Sequence, residues 1–95
     1  MHTIQVEFVS ALVIFTKERK IEMDVPDGFT ITNLLDTLHS KYGKEEKARI
    51  FETKGNMSHV LVILVNGIDI RREEGLETVL HDGDVVVFMP VIAGG

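Results

Sequence analysis

A single amphipathic helix set among short apolar strands restricts the folds open to this chain more than any other feature. Ile31, Leu34, Leu35, Leu38 and Tyr42 recur at i, i+3, i+4, i+7 and i+11, one helical face. Thr30 is placed to cap the start of that helix, and Gly43 to stop it. The segments before it have strand spacing instead. Ile4, Val6 and Phe8 alternate with polar neighbours across Thr3–Val9, and Ile21, Met23 and Val25 alternate again. One helix covers only one face of a sheet, so the pattern predicts an α+β domain.

Turn chemistry divides the rest. Ser10–Phe15 is mostly apolar without clear alternation, and Lys17-Glu18-Arg19-Lys20 reads as a solvated hairpin tip. Pro26-Asp27-Gly28 is a turn signature. Lys44–Ser58 is polar, with Ala48, Ile50 and Phe51 as its apolar positions. Val60–Val65 is a continuous run of Leu and β-branched residues, as expected of a strand covered on both faces. Asn66-Gly67 then signals a hairpin, with Ile68–Ile70 as the return strand. Arg71–Gly75 reads as a polar link, and Leu76, Val79 and Leu80 as one buried turn of helix. Asp82-Gly83-Asp84 is a further tight turn before a last strand, Val85–Met89. Pro90 is expected to end regular pairing, having no N–H to donate. The order is strand, strand, helix, strand, strand, strand. With the last strand central, beside the first, this is the β-grasp (ubiquitin-like) layout, a mixed sheet packed on one main helix. The domain is expected to span 1–89, with a flexible diglycine tail at 90–95.

Several function classes drop out. The formal net charge of −5 argues against a nucleic-acid ligand, which calls for a basic face. No cysteine is present, so there is no disulfide, thiolate metal site or iron–sulfur cluster. The longest apolar runs fall far short of the ~20 residues of a membrane span. With no basic-then-apolar leader pattern, a cytoplasmic location is expected. His2, His39, His59 and His81 have no metal-ligand spacing, and no nucleophile or phosphate-loop motif is present. Asp82 and Asp84 read as turn residues, Glu73-Glu74 as a solvated pair, and Arg71 and Arg72 as solvated or available to acidic partner groups. No enzyme site, metal site or bound cofactor is expected within the domain.

The end of the chain is different. Adjacent glycines at both final positions arise by chance in about 0.5 % of chains at average glycine usage. Without Cβ atoms, an extended Gly94-Gly95 passes through a channel too narrow for other residues. A carboxylate on Gly95 is a poor electrophile until its oxygen becomes a good leaving group. Adenylation by ATP achieves this, and a sulfur nucleophile can then displace AMP to leave a thiocarboxylate. Extended, Pro90–Gly95 reaches about 20 Å, enough to enter a partner's active site. Ile92, Ala93 and Gly94 would thread that channel. Phe88, Met89, Pro90 and Val91 would meet the partner outside it, one of Phe88 and Met89 facing inward, and Phe8 is expected in the core.

The stretch Leu61–Gly95 carries a more specific likeness. Its Val-rich strand, Asn66-Gly67, Gly75-Leu76-Glu77-Thr78-Val79-Leu80, Asp82-Gly83-Asp84 and Ala93-Gly94-Gly95 resemble the MoaD/ThiS family of ubiquitin-like sulfur carriers, with Thr30–Gly43 similar to its helix. The likeness is greatest to the small subunit of molybdopterin synthase. It implies a carrier rather than an enzyme, acting with a ubiquitin-activating-type adenylyltransferase that uses ATP, a sulfur donor system and a larger catalytic subunit. Phe88-Met89-Pro90-Val91 departs from that branch, whose tails commonly carry two aromatics and two prolines. The ending Val91-Ile92-Ala93-Gly94-Gly95 is closer to thiamine sulfur carriers. A thiamine or tRNA-thiolation carrier, or a modifier joined to lysines through Gly95, are the alternatives the resemblance leaves open.

Overall fold

A computed structural model describes residues 1–42 and 61–90. The proposed stop at Gly43, the polar stretch Lys44–Ser58 and the tail residues Val91–Gly95 lie outside the described residues. In chain order the elements are β1 (His2–Phe8), α1 (Ala11–Thr16), β2 (Lys20–Val25), α2 (Ile31–Tyr42), β3 (Leu61–Val65), β4 (Ile68–Asp69) and β5 (Val85–Pro90). Turns of 3-10 helix at Ile70–Arg72 and Gly75–Glu77 join β4 to β5. The five-stranded sheet has the order β2-β1-β5-β3-β4. The last strand is therefore central, parallel to β1 and antiparallel to β3. This is the β-grasp fold.

The α2 helix forms where its apolar spacing placed it. Thr30 caps it reciprocally: Asn33 N donates to Thr30 Oγ1 at 3.2 Å, and Thr30 N donates to Asn33 Oδ1 at 3.0 Å. Each satisfies a backbone donor the helix start would leave unpaired. Ile31, Leu34, Leu35 and Leu38 are fully buried against Ile4, Val6, Phe8, Val25, Ile63, Val86 and Phe88 on one side of the sheet. The Thr30–Val79 bridge, with Ile31 N donating to Thr78 O at 3.1 Å and Leu80 N to Phe29 O at 2.8 Å, locks the segment before β5 onto the start of α2. Asn66 and Gly67 sit at φ 52 and φ 85, the left-handed pair that the tight β3–β4 turn requires.

Several expectations need correction. The link from β1 to β2 is not a plain hairpin, because Leu12 is buried and pulls Ala11–Thr16 into a helical turn across the sheet end. The Thr16 hydroxyl, also buried, lies 2.9 Å from both Leu12 O and Glu18 O, which share its one proton. Ile70 leaves the return strand and is buried at the start of a 3-10 turn. Of the three residues expected in one buried turn, Leu80 is buried and Val79 is 41 % exposed, since the bridge to Thr30 turns it outward. β3 is not covered on both faces: Val62 and Leu64 are only half-buried. Pro90 belongs to β5, opposite Leu61. β1 pairing ends at Phe88, so at Pro90 only β3 remains alongside and a missing N–H is tolerated.

Candidate functional site

Pairing register assigns every strand residue to a face, since directly opposed residues project to the same side. Phe88 is opposite Ile63 and aligned with Phe8, all in the core. Met89 is opposite Val62, and Val87 is opposite Leu64, on the other face. Among the described residues no helix covers that second face. Its β3–β5 half is therefore an apolar strip of Val62, Leu64, Val85, Val87 and Met89, with Met89 38 % exposed. Its β1–β2 half is polar, carrying Thr3, Gln5 and Glu7 beside Asp24, Glu22 and Lys20.

This geometry sorts the expected site residues. Met89 faces out, at the end of β5. Phe88 does not belong in a docking set: it is fully buried, with its ring 5.9 Å from that of Phe8. Alternation along β5 forces this, because Met89 and Phe88 cannot share a face. Pro90 is half-buried and, opposite Leu61, lies on the core side rather than the apolar strip. Val91, Ile92, Ala93, Gly94 and Gly95 lie outside the described residues. Val62, Leu64, Val85 and Val87 were missed. The signal for them was the continuity of the two apolar runs, since one helix cannot cover both sides of both strands.

β1 and β5 are parallel and end together, with Val9 N donating to Phe88 O at 3.3 Å. Pro90, the last of the described residues, therefore lies beside the exposed end of the apolar strip. An outward apolar surface of this kind is suited to hold a partner.

Some charged groups elsewhere are engaged within the chain. Arg71 Nη2 donates to Asp69 Oδ2 at 2.6 Å, and its Nε lies 3.1 Å from both carboxylate oxygens. These bonds hold the Asp69 carboxyl below the usual carboxylate range. Arg71 therefore has an acidic partner inside the chain. At the sheet end away from the tail, His2 and His81 rings lie 6.5 Å apart and His2 Nε2 is 3.0 Å from Asp27 Oδ1. Among the described residues no group of three or more His, Asp or Glu is placed to hold a metal ion. No helix among them is long and apolar enough to cross a membrane.

A mixed sheet with its last strand central and one principal helix packed on one of its faces defines a small ubiquitin-like protein. The chain matches the ThiS family across residues 12–95 and belongs to it, among the ubiquitin-like sulfur carriers. Ubiquitin-related modifier 1 of Eremothecium gossypii is 33 % identical over 100 residues, covering 100 % of each chain. Sulfur carrier protein CysO of Mycobacterium tuberculosis is 33 % identical over 69 residues, 72 % of this chain and 74 % of that protein. Among solved structures, small archaeal modifier protein 1 of Methanosarcina acetivorans superposes with a TM-score of 0.79 at 26 % identity, covering 100 % of this chain and 98 % of that one. A chain of the Amycolatopsis orientalis BexX/CysO complex gives a TM-score of 0.71 at 27 % identity, covering 97 % of this chain and 99 % of that one.

Proposed function

We propose that this chain carries sulfur on Gly95 for cytoplasmic cofactor synthesis, as a substrate of partner enzymes and not as a catalyst. The supporting observation is the apolar strip of Val62, Leu64, Val87 and Met89, which runs to the end of β5, next in sequence to the tail residues. The family match, which runs through residue 95, supports the role given to the terminal glycines. The strip docks on a ubiquitin-activating-type adenylyltransferase while Ile92, Ala93 and Gly94 thread its channel. The Gly95 carboxylate attacks the α-phosphorus of ATP and pyrophosphate leaves. Sulfur from a donor system then displaces AMP and leaves a thiocarboxylate. The carrier holds no cofactor of its own, and ATP belongs to the activating enzyme.

The acceptor in this reading is the pterin precursor of molybdenum cofactor, reached when the tail inserts into the large subunit of molybdopterin synthase. Its support is the likeness across Leu61–Gly95. A second reading is favoured by the full-length relative named ubiquitin-related modifier 1. In it the activated carboxyl serves tRNA thiolation or is joined to a lysine of another protein.

Reconstitution with the adenylyltransferase of the same host and ATP tests the reading. Pyrophosphate release should require the carrier and vanish when Gly95 is deleted, with the fold unchanged by circular dichroism. Release that persists without Gly95 contradicts it.

A further inference from the structure

Met89 is the residue of the apolar strip whose chemistry is not inert. It is 38 % exposed, opposite Val62, and next to Pro90, the last residue of β5. Met23 is partly buried against the core, Met1 is 89 % exposed but precedes β1, and Met57 lies outside the described residues. A thioether suits an apolar contact because it is uncharged, polarisable and flexible. It is also the one side chain of the strip that a mild oxidant converts to a polar group.

We propose that Met89 is an oxidation-sensitive contact of the docking face, so that oxidants of the peroxide class weaken the carrier's hold on its activating enzyme. The inference rests on the function proposed above. In the step, a sulfur lone pair attacks one peroxide oxygen and an S–O bond forms as the O–O bond breaks. The second oxygen leaves as water, so sulfur is oxidised and peroxide reduced. The sulfoxide oxygen is a strong acceptor. Seated against an apolar partner it is left without a donor, while Phe88 and Pro90, projecting to the other side, keep the body folded. Affinity should fall about tenfold, the cost of burying one unpaired polar group. Methionine sulfoxide reductase would restore it.

The test uses the full chain in its carboxylate form, so that no thiocarboxylate sulfur competes for oxidant. Wild type and Met89→Leu are treated with hydrogen peroxide, each methionine is followed by peptide mass spectrometry, and binding to the host adenylyltransferase is measured by calorimetry. Wild type should lose about tenfold in affinity in step with Met89 sulfoxide, and Met89→Leu should lose none. Untreated Met89→Gln should bind like the oxidised protein. Equal losses in wild type and Met89→Leu, or loss of binding without sulfoxide at Met89, overturn the proposal. If untreated wild type does not bind, the functional reading fails, and this proposal with it.

Discussion

Phe88 lies in register with Phe8 across the parallel β1–β5 pair, their rings 5.9 Å apart and tilted by 50°. This contact closes the core toward the Pro90 end of the sheet. It also settles what the next residue can do: with Phe88 pointing in, Met89 points out. Core and open face therefore separate between two consecutive residues.

Mutation should divide them the same way. Phe88→Ala empties a fully buried site and is expected to cost about 3–5 kcal/mol in urea unfolding. Met89→Asp should change stability by less than about 1 kcal/mol, as expected of a surface position, yet sharply weaken binding to the activating enzyme. If Met89→Asp unfolds the domain, the assignment of faces is wrong.

The β3–β4 turn isolates a backbone effect. A Cβ added at Gly67 would meet nothing within 4 Å, yet φ there is 85°. Gly67→Ala should therefore cost about 1 kcal/mol from conformation alone. Asn66→Ala additionally removes hydrogen bonds to Asp84 Oδ1 at 2.9 Å and from Val85 N at 3.0 Å. It should be the more damaging change, by about 1–3 kcal/mol, checked by thermal unfolding of both variants.

Acid should act on Asp69. Its hydrogen bonds from Arg71 lower its folded pKa, so the stabilisation is complete above the unfolded-state value and is lost as pH falls through the folded one. Asp69→Asn should flatten that part of the stability profile below pH ~4 and leave its neutral part nearly parallel to wild type. The effect should be small and weaken with salt, because Arg71 is largely exposed.

Alkali should act on Tyr42, the only tyrosine. Burial first, then its hydrogen bond to Glu18 at 2.7 Å and that carboxylate's charge, push the phenol above its ordinary range. Because the folded state favours the neutral phenol, the linked stability is present below the unfolded pKa of about 10 and declines as pH rises beyond it. Near-ultraviolet titration should find phenolate forming later than in free tyrosine, with Glu18→Gln shifting it partway back. An unshifted titration would contradict the Tyr42–Glu18 contact.

Much of this architecture was legible in the residues. The face of Ile31, Leu34, Leu35 and Leu38, the Asn66-Gly67 turn and the alternation of Ile4, Val6 and Phe8 each report one local rule, and local rules survive folding. What escaped depended on how elements meet. Ala11–Thr16 is too short to establish a helical period, and its helical turn is held by the burial of Leu12 and Thr16. The run Val62-Ile63-Leu64 resembled a doubly covered strand because an uncovered apolar face and a buried face look alike in one dimension. The inward turn of Phe88 needed the β5 register, since both residues of the Phe88-Met89 pair are apolar. The Gly94-Gly95 end is the reverse case: its reading comes from chemistry and sequence, and it lies outside the described residues.

The decisive measurement is intact-mass spectrometry of the protein purified from its own host, with tandem fragmentation of the C-terminal peptide. The expected result is a fraction in which sulfur replaces one oxygen, placed by fragmentation on Gly95 and not on an oxidised methionine. Gly95 carrying only an ordinary carboxylate, in cells making the cofactor and with acid-labile loss excluded, would contradict the carrier reading.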